Sequence, residues 1–401
     1  MTYKLICGNS LLELKKLDSN SIDSVVTDPP YELGFMGKEW DKTGIANNVE
    51  LWKEVYRVLK PGGHMLAFSG TRTYHRMVCA IEDSGFEIRD QLAWIYGSGF
   101  PKSQNVGKMI DKKAGKKVEK GEAFNVVGMG KSNGGSKFRS YHPDYKPYDP
   151  QTDDAKKYDG WGTALKPAQE PIVLARKPLS ENTVADNVIK YNTGAINIDE
   201  CRVAYQGDYR SPAKKDGSLN SGGSFGCGDV EKFDDAAAEA KGRWPANIIH
   251  DGSDEVLHLF PDNVKGGTWA KTKGMRAFNN DGKDTEAIIT ATDKSVGSAA
   301  RFFYCAKANK KDREENNNHP TVKPTEVMRY LIRLITPKDG IVLDPFNGSG
   351  STGKAAMLEG KNYIGIDLSD DYIKISEARI KSAKKQYDAE ADKNKHFETF
   401  E

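Results

Sequence analysis

Apolar residues near the amino terminus alternate between the spacing of strands and the spacing of helices. Short apolar runs at Tyr3–Cys7 and Ile22–Thr27 predict strands, whereas Leu11, Leu14 and Leu17 recur at helical spacing. The alternation continues along the chain and predicts helices at residues 48–59 and Tyr74–Asp83, and strands at residues 64–68 and 91–96. This βαβα order is typical of a mainly parallel sheet with helices on both faces.

The same alternation returns in the carboxyl-terminal part of the chain. Residues 171–175 form another apolar strand-like run, and Thr325–Ile335 carries apolar residues along one helical face. Two further strands are predicted at residues 340–343 and 363–366, with a helix between them at residues 351–359. We therefore expect both ends of the chain to build one doubly wound α/β sheet. The charged helix predicted after Ile373 is expected to be solvated.

Two segments interrupt this rhythm. Residues 102–146 carry eleven basic and four acidic residues, a local net charge of +7. Such a charge run is usually a solvated loop, and contact with nucleic-acid phosphates is the alternative. The candidate phosphate contacts in this segment are Lys112, Lys113, Lys116 and Lys117. Residues 179–305 are irregular and glycine-rich, with an isolated strand predicted at residues 246–249, which indicates a second domain or a long insertion.

The composition agrees with a globular, loop-rich chain. Its 401 residues include 59 Lys and Arg, 57 Asp and Glu and 39 Gly, with a mean hydropathy of −0.66. The net charge of +2 shows no global basic excess. No segment approaches the ~18 consecutive apolar residues of a membrane helix, and the start resembles no signal peptide, so we expect a cytoplasmic protein. The five cysteines form no CxxC pair, which argues against a zinc ribbon and a disulfide framework.

Residues 341–353 combine a predicted strand, a glycine turn and a helix start. Gly348 and Gly350 would let the backbone approach a ligand closely, and the helix N-terminus offers N–H groups to a negative group. Asp367 ends the next strand, roughly 20 residues on, a spacing typical of a carboxylate that accepts ribose hydroxyls. The segment predicts a nucleoside-containing cofactor. NAD and ATP are disfavoured, because the third spaced glycine and the Gly-Lys-Ser/Thr signature are missing.

A second candidate site follows the strand Ile22–Thr27. The sequence Asp28-Pro29-Pro30-Tyr31 stiffens the backbone and removes two N–H donors, which leaves the Asp28 carboxylate and the Pro29 carbonyl as acceptors beside an aromatic ring. Acceptors next to an aromatic plate suit a planar base that carries an amino group. An Asp-Pro-Pro turn with a purely structural role is the alternative.

Together the two sites resemble the DNA amino-methyltransferases that use S-adenosylmethionine. In that family Asp-Pro-Pro-Tyr is the catalytic motif and Phe-x-Gly-x-Gly the cofactor motif, here beginning at Phe346. The order of the motifs resembles the beta class, and so does the segment His319-Pro320-Thr321-Val322-Lys323-Pro324 ahead of the cofactor strand. The resemblance covers roughly residues 3–100, 166–178 and 301–380, whereas the middle region matches in position only.

The resemblance implies a Rossmann-like methyltransferase fold with an irregular target-recognition region. In order along the chain, it implies a catalytic part at 1–100, a basic DNA-contacting insertion at 101–165, a sheet strand at 166–178, a target-recognition region at 179–305, and a cofactor-binding part with a charged tail at 306–401. It also implies duplex DNA as the partner and a cytoplasmic protein of prokaryotic or phage type that acts at the nucleoid. A homodimer and a separate restriction endonuclease stay open as partners.

The resemblance also assigns residues to the site. The implied catalytic residues are Asp28, Pro29, Pro30 and Tyr31, and no metal is required. The implied cofactor-binding residues are Asn9, Asp28, Lys323, Asp344, Phe346, Gly348, Gly350, Ser351, Thr352 and Asp367. Asn9 departs from the acid that is usual at its position, but an amide oxygen can still accept a hydrogen bond from the cofactor amine.

Within the family, adenine N6 is the favoured target. Methylation at C5 of cytosine requires a thiol nucleophile, usually in a Pro-Cys pair, and none of the five cysteines follows a proline. N4-cytosine enzymes more often carry Ser where this chain has Asp28. A target base within a duplex must be flipped out, and Tyr31 is the expected stacking plate. An N4-cytosine enzyme, an RNA adenine methyltransferase and an inactive nucleic-acid-binding module remain the alternatives.

Overall fold

The computed structural model describes residues 1–34, 39–99, 103–116, 148–204, 242–265, 268–270, 289–292, 296–306, 312, 317 and 321–398. The chain divides into two compact units. The first consists of Met1–Gly97 with Gln169–Glu401, and the second of Ser98–Ala168. In the ranges just given, no helix is both long and apolar enough to cross a membrane.

The strands are numbered in chain order. They are β1 Tyr3–Cys7, β2 Ile22–Thr27, β3 Leu59–Phe68, β4 Glu87–Ile95, β5 Gln169–Arg176, β6 Ile248–His250, β7 Val264–Lys265, β8 Thr268–Ala270, β9 Ile289–Thr292, β10 Val296–Gly297, β11 Tyr304–Cys305, β12 Ile341–Asp344 and β13 Asn362–Asp367.

The α-helices are numbered in the same way. They are α1 Ser10–Leu14, α2 Val49–Val58, α3 Tyr74–Asp83, α4 Val106–Lys113, α5 Asp153–Lys157, α6 Val184–Tyr191, α7 Asp254–Leu257, α8 Thr325–Ile335, α9 Ser351–Leu358 and α10 Asp370–Glu398. Short 3₁₀ turns lie at Glu39–Lys42, Ile45–Asn47, Asp199–Cys201 and Ala299–Phe302.

Nine strands of the first unit form one sheet in the order β1-β13-β12-β2-β3-β5-β4-β6-β11. All neighbours pair in parallel except at β5, which runs antiparallel to both β3 and β4. Strands from the two chain ends lie side by side, because β12 pairs with both β13 and β2. The predicted mainly parallel α/β sheet built from both ends is therefore confirmed.

Alternate residues of the central strands pack on opposite faces of the sheet. Val25 and Met65 contribute to the buried cluster that includes α2 and α3, whereas Val26, Leu66 and Phe68 contribute to the cluster that includes α8 and α9. This follows from the two-residue period of a strand, and it gives the sheet a helical layer on each face. The arrangement is doubly wound, as predicted.

The region 179–305, predicted to be a second domain or a long insertion, contributes two strands to the main sheet. Its predicted strand at residues 246–249 is observed as β6, which joins the main sheet beside β4, and β11 pairs with β6 in turn. The physical reason is burial, since Ile249 is fully enclosed in the core of the first unit. The other strands in the described part of this region form two small antiparallel sheets, β7 with β10 and β8 with β9.

The described residues of the second unit, 98–99, 103–116 and 148–168, include two short helices, α4 and α5. Between them lies the buried carboxylate of Asp111, which accepts hydrogen bonds from Tyr148 Oη at 2.6 Å, Gln151 N at 2.8 Å and Thr152 Oγ1 at 2.7 Å. Burial alone would raise the pKa of Asp111, but these hydrogen bonds outweigh it and hold the pKa well below its usual range. The carboxylate therefore connects α4 to the segment that leads into α5.

His64 provides a test of how the sheet responds to acid. It lies on β3 opposite Arg176 of β5, and burial, followed by the charges of Arg176 and Arg89, lowers the pKa of His64 to about 4. An unfolded histidine titrates near 6.5, so the unfolded chain binds more protons than the folded chain between pH 6.5 and 4. Stability contributed by neutral His64 is present above pH 6.5 and is lost as the pH falls towards 4.

We expect the free energy of unfolding to fall by about 2 kcal/mol when the pH is lowered from 7 to 5, because His64 is protonated more readily in the unfolded chain than in the folded chain. In His64→Gln that part of the pH dependence should disappear, whatever the stability of the variant at pH 7. Urea unfolding at several pH values measures it. His75→Gln, at an exposed position on α3, is the control. A wild-type pH slope in His64→Gln would show that His64 does not cause the acid sensitivity.

Candidate active site at the carboxyl ends of four parallel strands

The candidate site lies at one edge of the sheet, where four neighbouring parallel strands end. Asn9 follows β1 closely, Asp367 is the last residue of β13, Asp344 is the last residue of β12, and Asp28 follows β2 directly. β12 and β2 are adjacent, but the chain leaves them in opposite directions: β12 leads to β13 on its far side, and β2 leads to β3 on its far side. The direction of the strand order therefore switches between β12 and β2. Ligands of open α/β sheets bind in the crevice at such a switch point, outside the strand ends.

The turn between β12 and α9 is shaped by its glycines. Gly348 and Gly350 have φ values of +49° and +77°, in the left-handed region that favours glycine. A Cβ atom on Gly350 would lie 2.5 Å from Cβ of Ser376, so a side chain there would collide with α10. The backbone of the turn therefore packs more closely against its neighbours than any other residue type would allow.

The carboxylate of Asp367 holds the glycine turn from the end of β13. Its Oδ2 atom accepts a hydrogen bond from Gly348 N at 2.7 Å, and its Oδ1 atom accepts one from Ser369 N at 2.9 Å. Beside it, the buried side chain of Asn347 accepts a hydrogen bond from Tyr363 Oη at 2.8 Å. These contacts orient the carboxylate and the turn relative to each other.

Asp344 connects the two motifs that the sequence singled out. Its buried carboxylate accepts hydrogen bonds from Thr27 Oγ1 at 2.7 Å, Thr352 Oγ1 at 2.6 Å and Phe346 N at 3.0 Å. Burial raises the pKa of Asp344 to about 6, although the hydrogen bonds act in the opposite direction. Because Thr27 immediately precedes Asp28, this contact ties the Asp-Pro-Pro-Tyr segment to the glycine turn.

The second part of the site is a charged cluster of four side chains. Lys323 Nζ lies 2.7 Å from Asp28 Oδ2 and 3.1 Å from Glu170 Oε2, and it donates a hydrogen bond to Tyr31 Oη at 3.0 Å. Tyr31 Oη in turn donates to Glu170 Oε2 at 2.8 Å. The other carboxylate oxygen, Asp28 Oδ1, is buried and accepts no hydrogen bond from the described residues.

Burial and charge determine the protonation of this cluster. Burial alone would lower the pKa of Lys323, but the carboxylates of Asp28 and Glu170 outweigh it and raise that pKa above its usual value. Burial, with the same two carboxylates, raises the pKa of Tyr31 well above 10. At neutral pH the cluster therefore contains an ammonium and a neutral phenol. The ammonium also lies 5.2 Å from the ring centroid of Tyr31 and 5.0 Å from that of Phe68.

The predicted cofactor-binding residues separate into three groups. Those at the glycine turn and the adjoining strand ends are Asp344, Phe346, Gly348, Gly350, Ser351, Thr352 and Asp367. Two further predicted cofactor residues, Asp28 and Lys323, contact each other, and Lys323 also contacts Glu170 and Tyr31. Asn9 caps α1, since its Oδ1 atom accepts hydrogen bonds from Leu11 N at 3.1 Å and Leu12 N at 3.4 Å. Its oxygen is thus already engaged.

The four candidate phosphate contacts belong to the second unit. Lys112 and Lys113 form the exposed end of α4, and Lys116 is exposed just beyond it. Lys117 lies outside the described residues, as do His319 and Pro320 of the segment ahead of the cofactor strand.

Two residues that the sequence did not single out hold the site in place. Glu170 contacts Lys323 and Tyr31 as described, and its only sequence signal is a lone acid at the start of an apolar strand. Arg379 of α10 is buried and donates from Nη1 to the carbonyl oxygen of Ser349 at 2.6 Å, inside the glycine turn. The expectation that the charged helix after Ile373 is solvated is therefore wrong for one face of α10, because Arg379 and Ile380 are buried there, Ile380 within the apolar core.

The side chains at this edge of the sheet provide hydrogen-bond acceptors and aromatic surfaces. Among the described residues, no group of three or more His, Cys, Asp or Glu side chains is arranged to hold a metal ion. A buried carboxylate oxygen next to an aromatic ring can bind an amino group, and the adjoining glycine turn can hold a nucleoside.

The sequence is similar to those of DNA methyltransferases. The DNA methylase model of the N6/N4 methyltransferase family matches residues 22–378. The type II methyltransferase M.HindIII of Haemophilus influenzae is 23% identical over 93% of this chain and 93% of its own length. The DNA adenine methyltransferase YhdJ of Escherichia coli is 40% identical over 19% of this chain and 26% of its own length.

Two solved structures are similar over nearly the whole chain. The PvuII DNA methyltransferase, which is cytosine-N4-specific, has a TM-score of 0.44 and 14% identity, covering 97% of this chain and 92% of its own. The M1.HpyAVI complex with SAM has a TM-score of 0.42 and 13% identity, covering 94% of this chain and 99% of its own.

Proposed function

The chain belongs to the N6/N4 DNA methylase family, and from this premise we propose that it transfers a methyl group from S-adenosylmethionine to adenine N6 in duplex DNA, at a specific site. The observation that carries the proposal is Asp28 Oδ1, a buried acceptor atom with no hydrogen bond from the described residues. Asp28 belongs to the same cluster as Tyr31, since Lys323 Nζ lies 2.7 Å from Asp28 Oδ2 and 5.2 Å from the ring centroid of Tyr31. The similarity of part of the chain to a DNA adenine methyltransferase supports adenine as the target.

The residues at the glycine turn fit S-adenosylmethionine, which supplies an electrophilic methyl group on its sulfonium. Asp367 would accept hydrogen bonds from the ribose hydroxyls, because a strand-end carboxylate after a glycine turn is suited to that contact. Phe346, Gly348, Gly350 and Ser351 would line the same ligand. Thr352 Oγ1 donates a hydrogen bond to Asp344 at 2.6 Å, and this pair would hold the two ends of the turn together.

The Asp-Pro-Pro-Tyr segment would act on the base. The lone pair of the exocyclic nitrogen is delocalised into the adenine ring, so the amine is a poor nucleophile. Hydrogen bonds from this amine to Asp28 Oδ1 and the Pro29 carbonyl would help to localise the lone pair, which makes catalysis chiefly a matter of positioning and electrostatics. Pro30 keeps the segment rigid. Tyr31 would stack on the flipped base, a contact worth about 1–3 kcal/mol.

The experiment uses unmethylated bacteriophage DNA and S-adenosylmethionine with a labelled methyl group. Nucleosides from the digested DNA are separated by mass spectrometry, and we expect N6-methyldeoxyadenosine. Labelled N4-methyldeoxycytidine would contradict the adenine assignment but leave a DNA methyltransferase. Transfer to structured RNA in preference to DNA would contradict the proposed polymer, and cofactor binding without any transfer would indicate an inactive binding module. Methylation-sensitive sequencing of the product then identifies the recognition sequence.

The basic end of α4 is proposed to contact DNA phosphates. Lys112, Lys113 and Lys116 are exposed, and the segment 102–146 carries a net charge of +7. Each phosphate neutralised by a protein changes the slope of log affinity against log salt by about 0.9. Replacing Lys112, Lys113, Lys116 and Lys117 with Ala should flatten this slope by up to about four units, measured by fluorescence anisotropy on labelled duplexes.

Specific and nonspecific duplexes should lose affinity alike, because phosphates carry no sequence information. The matched control replaces Lys381 and Lys385, two exposed lysines of α10, and should retain the wild-type slope. A wild-type slope in the four-lysine variant would place this segment in solvent. A changed preference among sequences would assign the lysines to base readout instead.

A further inference from the structure

Glu170 lies at the centre of the charged cluster, although no sequence motif contains it. It is the second residue of β5, the antiparallel strand between β3 and β4. A single oxygen, Oε2, accepts the hydrogen bond of Tyr31 Oη at 2.8 Å and lies 3.1 Å from Lys323 Nζ. The same ammonium lies 2.7 Å from Asp28 Oδ2. One oxygen of Glu170 thus contacts both the Lys323 ammonium, which holds Asp28, and the hydroxyl of Tyr31.

An ammonium beside Asp28 has two opposing effects on the proposed reaction. It fixes Oδ2 and so aims the carboxylate, but its positive charge weakens Asp28 as an acceptor and opposes the positive charge that develops on the attacking amine. Solvent screens this charge little, because the side chains of Lys323, Glu170 and Asp28 are only 10%, 17% and 24% exposed. Glu170 supplies a second carboxylate that contacts the same ammonium, so the cluster contains two carboxylates and one ammonium.

We propose that Glu170 is a positioning residue for methyl transfer: it shares the Lys323 ammonium with Asp28 and anchors Tyr31, so that Asp28 Oδ1 faces the substrate amine as a charged acceptor. The inference rests on the proposed function, because it assigns Glu170 a role in that same site. It differs from a structural salt bridge in its consequence, since loss of the Glu170 charge slows the chemical step rather than ligand binding.

The first test is Glu170→Gln, which removes the charge and keeps the size. We expect the single-turnover rate on an oligonucleotide duplex with the identified target to fall about 10- to 100-fold. The affinities for S-adenosylmethionine and for the duplex, measured by calorimetry and anisotropy, should stay within about threefold of wild type. The matched control is Glu87→Gln on β4, which removes a strand carboxylate paired with Arg176 at 2.7 Å and should leave the rate unchanged.

A double-variant cycle separates positioning from a general loss of stability. Lys323→Met should also lower the single-turnover rate at least tenfold. Residues that act as one unit have non-additive effects, so the variant with both substitutions should be no more than about threefold slower than the slower single variant. Multiplying losses would show that Glu170 and Lys323 act independently and would overturn the proposal.

Tyr31→Phe keeps the proposal testable if Glu170→Gln folds poorly. It removes only the hydroxyl that Glu170 anchors and keeps the ring. We expect the single-turnover rate to fall three- to tenfold, while the thermal midpoint and the affinity for S-adenosylmethionine stay at the wild-type values. Wild-type turnover in both Glu170→Gln and Tyr31→Phe would overturn the inference but leave the methyltransferase in place. A wild-type protein that transfers no methyl group to DNA would overturn the proposed function itself, and with it this inference.

Discussion

Asp28→Ala is expected to slow single-turnover methyl transfer about 100- to 1,000-fold, the range found when one preorganised electrostatic contact is removed from an active site. The substitution removes the buried Oδ1 atom that would accept the hydrogen bond of the substrate amine. The protein should still fold, because Lys323 Nζ retains Glu170 as a counter-charge at 3.1 Å. Affinity for S-adenosylmethionine should stay within about threefold of wild type, since the glycine turn follows β12 whereas Asp28 follows β2.

Rapid-quench kinetics and calorimetry measure the two quantities on the same preparation. Asp28→Asn should lose less activity than Asp28→Ala, because an amide oxygen still accepts a hydrogen bond. Asp18→Ala, at an exposed position between α1 and β2, is the control and should behave as wild type. If Asp28→Ala retains turnover within tenfold of wild type, Asp28 is not the acceptor of the amine.

Asp367→Ala should raise the dissociation constant for S-adenosylmethionine by at least about 100-fold. A carboxylate that accepts two ribose hydroxyls makes two charge-assisted hydrogen bonds, each worth about 1.5–3 kcal/mol. The carboxylate also accepts hydrogen bonds from Gly348 N and Ser369 N, so its removal releases the turn that would line the cofactor. Both losses act on binding, and calorimetric titration measures them directly.

The control for this change lies three residues further along the chain. Asp370→Ala removes an exposed carboxylate from the first turn of α10 and should leave the affinity unchanged. Asp367→Asn should give a smaller loss than Asp367→Ala, because it keeps one acceptor oxygen. An affinity within threefold of wild type in Asp367→Ala would remove Asp367 from the cofactor site.

The order of strands and helices at the two chain ends could be predicted from apolar spacing. The helices predicted at 48–59 and 351–359 are observed as α2 Val49–Val58 and α9 Ser351–Leu358. β4 is a counterexample, because it begins at Glu87, before the predicted start at residue 91. Its residues 89–91 are exposed and lack an apolar alternation. Asp90 and Gln91 are held in the strand by pairing with Leu174 and Val173 of β5, and the register shifts at the residue before them.

What the sequence alone determined are features encoded within a few consecutive residues. The Asp-Pro-Pro-Tyr segment and the glycine turn are of this kind, because rigidity, acceptor groups and left-handed backbone all depend on local residue type. The acid at the end of β13 was also predictable, since it follows an apolar run at a regular distance from the turn.

Only the tertiary structure decided which of these features meet. Thr27 and Asp344 are 317 residues apart in sequence, Tyr31 and Lys323 are 292 apart, and Tyr31 and Glu170 are 139 apart, yet each pair is joined by a hydrogen bond. These contacts depend on β12 lying beside β2 and on β5 lying beside β3. Strand order is set by the packing of the whole sheet, and apolar periodicity reports a strand's buried face but not its neighbour. For that reason the contacts of Glu170 and Lys323 could not be predicted from the sequence, although the position of Asp28 directly after β2 could.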